Sequence, residues 1–316
     1  MKYVYGPVPS RRLGRSLGID PIPSKTCNYQ CIYCQLGKTT HFTNKRENFF
    51  PIKAIISEIK EAVKKNKGLF DYITFVGSGE PTLYKDLKIL IDEVKELSKK
   101  PICVITNGSL LYDEEVRQAL MFADVILPSL DAGNEKLFIK INRPHPSLKF
   151  DEMIQGMIDF RNNYAGKFWI EVMLIKDVND HKEELIEIKQ IIDVIKPDRI
   201  DFNIPIRPPT EKWVKMPDKS IISLLNEIFG EYNNIFFPEI GKFKFYSKNF
   251  EKELIKIIER HPMRKEQILK TFSSEKFPKV KILLQLKKLE SQNKVRKIEY
   301  NNQIFYGLAE NFNNII

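Results

Sequence analysis

Six short runs of β-branched and apolar residues recur along the chain: SLGIDPI (16–22), DYITFVG (71–77), ICVIT (102–106), DVILPSL (124–130), WIEVMLI (169–175) and RIDFNIPI (199–206). Runs this short and this apolar suit strands buried on both faces of a parallel sheet. Helical spacing fills the stretches between them. Ile52, Ile55, Ile56, Ile59 and Val63 follow Pro51 at a helix start, and Leu87, Leu90, Ile91, Val94 and Leu97 precede the third run. The same spacing returns over 113–122, 150–162 and 181–195. A βα unit repeated about six times restricts the chain to an α/β fold with a parallel sheet. Periodicity leaves two forms open, a doubly wound sheet and a full or partial barrel.

The pattern changes near residue 241. From there the spacing predicts three short helices, about 250–260, 264–272 and 277–291, then strands at 294–299 and 303–308 with Asn301–Asn302 at the turn. That is the order of a winged helix-turn-helix, so two domains are expected, 1–240 and 241–316. Charge follows the same division. The formal net charge is +10, and the segment from Lys242 onward holds 17 Lys and Arg against 8 acidic residues, leaving +1 for everything before it. Lys279, Lys281, Lys287 and Lys288 on the third helix, with Lys294, Arg296 and Lys297 on the wing, suit phosphate contact. A protein-docking or dimerisation module is the alternative. No run of 18 apolar residues occurs and the first residues form no hydrophobic signal segment, so a cytoplasmic protein without a membrane span is expected.

Three of the four cysteines fall in CNYQCIYC (27–34). Thiols two or three residues apart cross-link almost nothing, so Cys27, Cys31 and Cys34 read as ligands rather than disulfide partners. Three thiolates on one tight loop suit an iron–sulfur cluster or a zinc ion. Zinc would need a fourth ligand, for which His41 is the nearest candidate. A cluster held by three cysteines keeps one iron open, and an open position marks chemistry rather than structure. Cys103, inside ICVIT, reads as a small buried hydrophobe; His145 and His181 read as structural or solvated.

CNYQCIYC, after the first strand of a repeated βα domain, resembles the signature of the radical S-adenosylmethionine (SAM) superfamily. The resemblance implies a [4Fe–4S] cluster on Cys27, Cys31 and Cys34, with SAM chelating the open iron through its amino and carboxylate groups. It implies a partial (βα)6 TIM-like barrel over roughly residues 1–240. It also implies an external one-electron reductant and reductive cleavage of SAM to a 5′-deoxyadenosyl radical that takes a hydrogen atom from the substrate. Tyr33 matches the aromatic residue usual before the last cysteine. VGSGEPTL (76–83) resembles the family's GGE-type motif at the methionine end of SAM, with Ser78 in place of the commoner first glycine, so Gly77, Gly79 and Glu80 are expected at the cofactor. TNG (106–108) and PSLDA (128–132) resemble later strand ends and add Asn107, Ser129 and Asp131; Asp131 has helix capping as its alternative role. Glu171 in the fifth strand and Asn203 at the end of the sixth complete the expected cofactor-binding set, with Arg207 beside Asn203 as a further candidate to touch ligand.

The opening GPVPSRRLGRSLGID, together with FNIPIRPP, resembles uncharacterised members grouped with wyosine-base-forming tRNA enzymes. This implies a tRNA or other RNA base as substrate. No cysteine precedes Cys27, so the second cluster of those enzymes is not available. Arg11, Arg12 and Arg15 are candidates to meet a phosphate or carboxylate at the barrel. Two alternatives stand beside this reading: a radical SAM enzyme acting on a peptide or small metabolite, and a non-enzymatic iron–sulfur regulator that binds DNA. The regulator leaves Gly77-Ser78-Gly79-Glu80 and the βα domain without a purpose. If RNA is the substrate, the basic tail is a separable module, and removing 245–316 leaves SAM cleavage intact. Asn28, Tyr29, Gln30 and Ile32 carry no assignment.

Overall fold

The computed structural model describes residues 1–230, 233–235, 249–275 and 277–312; the boundary expected at 240/241 lies outside them. The chain starts with an antiparallel pair, β1 (Val4–Ser10) and β2 (Gly14–Ile19). It then leaves the main sheet through a small parallel ladder, β3 (Thr26–Cys27) and β4 (His41–Phe42). Helix α1 (Ile52–Lys65) leads back to β5 (Tyr72–Phe75). From there strands and helices alternate: α2 (Leu87–Leu97), β6 (Ile102–Thr106), α3 (Glu114–Leu120), β7 (Val125–Pro128), α4 (Glu135–Asn142), α5 (Phe150–Asn163), β8 (Lys167–Met173), α6 (Lys182–Ile195), β9 (Arg199–Asn203), α7 (Ile221–Phe229) and β10 (Asn233–Ile235). The sheet order is β1-β2-β5-β6-β7-β8-β9-β10, parallel throughout from β2 to β10.

That order is sequential. Right-handed crossovers between successive neighbours put every helix on the same face, which is the habit of a barrel rather than of a doubly wound sheet. Curvature follows from one contact. Arg12, in the turn between β1 and β2, pairs with Glu171 on β8, four strands away from β2. At about 4.8 Å per strand a flat sheet would separate those strands by roughly 19 Å, further than an arginine reaches. The mixed α/β fold with its parallel sheet is therefore consistent with a partial barrel.

Six parallel strands were expected and seven are present among the described residues, with β1 added at the edge. β1 escapes prediction because Pro7 and Pro9 make VYGPVPS read as a loop, whereas an edge strand tolerates proline. Alternate residues of the strands supply two cores, as a period of two requires. Ile73, Phe75, Ile102, Val104, Ile126 and Phe168 face the helices. Cys103, Val125, Leu127 and Trp169 point the other way and are closed over by Leu13. Cys103 is fully buried there, as an apolar side chain would be.

The later residues form α8 (Phe250–Ile258), β11 (Met263–Arg264), α9 (Lys265–Phe272), α10 (Lys279–Ser291), β12 (Val295–Tyr300), β13 (Gln303–Leu308) and α11 (Ala309–Phe312). They have their own core, in which Leu254, Ile258, Met263, Ile268, Ile282 and Leu286 meet. The strands pair antiparallel in the order β11-β13-β12. Asn301 and Asn302 both have positive φ at the β12–β13 turn, which asparagine tolerates better than most residues. Among the described residues no helix is long and apolar enough to cross a membrane.

Arg15 of the expected anion-binding trio serves the fold instead. Its backbone N–H, Nε and Nη2 donate to Asp71 at 2.9, 3.1 and 2.8 Å, joining the starts of β2 and β5. These bonds lower the Asp71 carboxyl from 3.8 to about 2. A depressed folded-state value stabilises the fold above the unfolded pKa, and that stabilisation fades as pH falls through the folded one. Asp71→Asn is expected to unfold at lower denaturant concentration than the parent at neutral pH. The gap should close between about pH 4 and pH 2, as followed by circular dichroism.

Candidate active site

The cysteine loop is built by the residues between the cysteines. Asn28 is fully buried; its Nδ2 donates to Asn44 Oδ1 at 2.9 Å and Ser109 Oγ at 2.7 Å, while its Oδ1 accepts from Asn107 Nδ2 at 2.7 Å. Tyr29 buries its ring against Phe138 and donates its hydroxyl to Met153 Sδ. The backbone N–H groups of Gln30 and Ile32 donate to the carbonyls of Asn142 and Ile141 at the end of α4. The loop is thus clamped to the barrel on both sides, and Cys34 N closes a turn onto Cys31 O at 3.1 Å.

Burial pushes all three thiols above the ordinary thiol range, and the Glu80 carboxylate adds to the effect at Cys27. Thiolates in such a place need a bound cation to hold the charge. The sulfurs do not all lie within 4.8 Å of one another; among the described residues only Asp177, Asp180 and His181 form a ligand group that tight. Sulfurs around a single zinc at about 2.3 Å would sit roughly 3.8 Å apart. His41 is turned to Thr26 and Phe49 and adds no fourth ligand. Three cysteines without a fourth protein ligand suit a [4Fe–4S] cluster with one iron left for SAM.

Beside the cysteines, Gly77-Ser78-Gly79-Glu80 follows β5. A Cβ on Gly77 would collide with Asp20 Oδ1, and one on Gly79 with the carbonyl of Thr26. Both glycines are therefore required by close approach. Ser78 donates to Asp20 Oδ2 from Oγ at 2.6 Å and from its backbone N–H at 3.2 Å. Glu80 is 2% exposed and faces inward. Its Oε1 accepts from Thr82 N, Thr82 Oγ1 and Thr106 Oγ1 at 3.0, 2.5 and 2.6 Å, and its Oε2 from Asn107 N at 2.7 Å. Burial pushes its carboxyl up while those donors pull it down.

Asp131 does not cap α4; Asn134 does, accepting from Leu137 N at 2.9 Å. Asp131 instead accepts from Tyr33 Oη at 2.5 Å, Asn142 Nδ2 at 2.7 Å and Met173 N at 2.9 Å. Tyr33 is thereby fixed beside Cys34. Ser129 donates its backbone N–H to Thr106 O and bridges to Glu171, while Asn203 accepts from Leu174 N through its carbonyl.

A cavity of about 320 Å³ gathers part of this set: Cys27, Tyr33, Cys34, Gly77, Gly79, Glu171 and Asn203 are on its wall. Glu80, Asn107 and Asp131 stand one layer back and shape it. Arg207, expected beside Asn203, is on this wall too, and three residues without a role in the sequence analysis, Lys25, Arg260 and His261, also matter here. Lys25 is 9% exposed, with burial lowering its pKa. Arg260 reaches Asp20 with Nε 2.9 Å from Oδ2. A basic residue in a lysine-rich segment carries no sequence signal for such a contact.

The profile described as the Radical SAM superfamily matches residues 22–188. A UPF0026 protein of Methanocaldococcus jannaschii is 36% identical over 315 residues, covering 97% of this chain and 96% of that protein. A protein named GTPase Obg from Brachyspira hyodysenteriae is 43% identical over 312 residues; the match takes in 97% of this chain but spans only 45% of that protein's length. Among solved structures, Streptococcus suis SuiB bound to S-adenosylmethionine has the same fold, with a TM-score of 0.52 at 22% identity over 70% of this chain and 50% of that one. With its cysteine triplet, glycine loop and parallel sheet on one cavity, the chain belongs to the radical SAM superfamily and to its UPF0026 group, enzymes that use a [4Fe–4S] cluster and SAM.

Proposed function

We propose that this radical SAM enzyme modifies a base of an RNA, with tRNA as the substrate class, in the cytoplasm. The observation that carries the RNA assignment is the C-terminal unit. Its elements follow the order of a winged helix-turn-helix, with α10 as the helix offered to nucleic acid and β12–β13 as the wing. Lys279, Lys281, Lys287 and Lys288 on α10, with Lys294 and Lys297 at the wing, are exposed. The described cavity lining is mainly basic, with Arg11, Lys25 and Arg207 beside the paired Arg12–Glu171 and Arg260–Asp20, a composition that suits an anionic substrate.

Cys27, Cys31 and Cys34 hold the cluster in this scheme, and Gly77 and Gly79 let SAM approach the backbone. Tyr33, Glu171 and Asn203 bound the space left for SAM and substrate, while Glu80, Asn107, Ser129 and Asp131 keep the strand ends in place. A [4Fe–4S] cluster held by Cys27, Cys31 and Cys34 and reduced by an external donor would supply the electron for reductive cleavage of bound SAM.

A second reading has its own observation. Val280 and Leu284, 67% and 61% exposed, share one face of α10 among the lysines. An apolar pair in that position favours docking of a peptide or protein substrate.

Anaerobic reconstitution is expected to load about four irons per chain, and dithionite with SAM should then release 5′-deoxyadenosine. Alanine at Cys27, Cys31 or Cys34 should abolish both, as read by iron analysis and chromatography. For RNA, about six phosphate contacts imply an affinity loss of roughly a thousandfold between about 50 and 200 mM salt. Lys281→Ala with Lys288→Ala should flatten that slope by about two units, measured by fluorescence anisotropy with tRNA. Salt-insensitive binding, or none, removes the RNA assignment and leaves the peptide one.

A further inference from the structure

We propose that Arg260 is a positioning residue of the radical SAM reaction: through Asp20, it sets the Gly77-Ser78-Gly79 loop that receives SAM. The inference rests on the placement of SAM at this loop and is independent of the RNA assignment.

Arg260 follows α8, and its partner lies 240 residues earlier in the chain. The two side chains are 9% and 1% exposed, so the pair is shielded from solvent. The guanidinium is held from several sides. Nη1 donates to Glu259 at 2.9 Å, Nη2 to the carbonyl of Lys2 at 3.3 Å, and the ring of Tyr5 lies 5.1 Å away. Its own carbonyl accepts from Gln35 Nε2, one residue past Cys34, at 3.0 Å. Tyr5 in turn donates its hydroxyl to the carbonyl of Val76, next to Gly77.

The same oxygen of Asp20 that meets Arg260 accepts both donors of Ser78, and the other fills the space where a Gly77 side chain would be. Arg260 therefore decides whether a buried carboxylate can stay charged beneath the loop. Burial alone pushes the Asp20 carboxyl up, and Arg260 is the strongest group pulling it back. Without the guanidinium, the carboxylate takes up a proton or turns toward water, and Ser78 loses its acceptor in either case. The C-terminal unit is then a wall of the cavity rather than a separable module, and removal of 245–316 weakens SAM binding instead of sparing it.

The test is SAM affinity of the cluster-loaded full chain by equilibrium dialysis, with the change in the reduced cluster's EPR signal on SAM addition as a second readout. Arg260→Met is expected to weaken SAM binding at least tenfold at unchanged iron content, and Arg260→Lys to recover part of the loss. Asp20→Asn with Arg260→Met removes both charges, so no unpaired ion is left to threaten folding. It should show the same loss, and each single variant combined with the other should be non-additive. Ser291→Ala breaks a contact inside the unit, the 2.8 Å bond to the carbonyl of Lys288, and should leave SAM affinity unchanged. Gly77→Ala separates the two ideas. If it leaves SAM affinity unchanged, SAM does not sit at this loop. If it weakens binding while the folded double variant binds SAM as the parent does, Arg260 does not position it.

Discussion

Four hydrogen bonds converge on the carboxylate of Glu80, and the arrangement of the site depends on them. They tie the chain after β5 to the end of β6, two neighbours that the sheet alone would leave free to splay at their tips. Asn107, held by Glu80 through its backbone, passes the order on: its side chain meets Asn28, and its Nδ2 lies 3.8 Å from Cys27 Sγ. Glycine loop, third strand end and cysteine loop are thus connected by buried polar groups through the half-buried Asn107. Inside a protein such groups are costly when any partner is missing, so the network constrains itself to one geometry.

Asp20 is the counterpart on the other side of the loop. Glu80 is satisfied by hydroxyl and N–H groups from nearby strand ends, whereas Asp20 takes its cation from a distant part of the chain. The difference has a physical basis. A buried carboxylate with four neutral donors needs no counter-ion of its own. One with only the two donors of Ser78 does.

Much of this was legible in the sequence because the signals are local. The alternation of apolar runs and amphipathic stretches predicted every strand from β5 to β9, and the spacing of Cys27, Cys31 and Cys34 together with Gly77–Glu80 singled out two loops that meet at the cavity. β1 was hidden by prolines that are tolerated only because the strand is at the edge. Asn28 and Ile32 looked like spacers because their partners, Ser109 and α4, are far away in the chain. Glu80 was identified, but its orientation was not: a carboxylate beside glycines suggests a ligand facing outward, and the donors that turn it inward belong to Thr106 and Asn107. Arg260 carried no signal at all, since its role comes from tertiary contact rather than from its neighbours.

The separation of Asp20 and Arg260 along the chain has a consequence for how the protein matures. At about 5–20 residues per second, the ribosome makes Arg260 on the order of tens of seconds after Asp20. All three cysteines and the parallel strands from β5 onward are made within that interval, while the wall made by Arg260 and His261 is still missing. The last side of the cavity is therefore synthesised only after the thiols and the strands that carry the site.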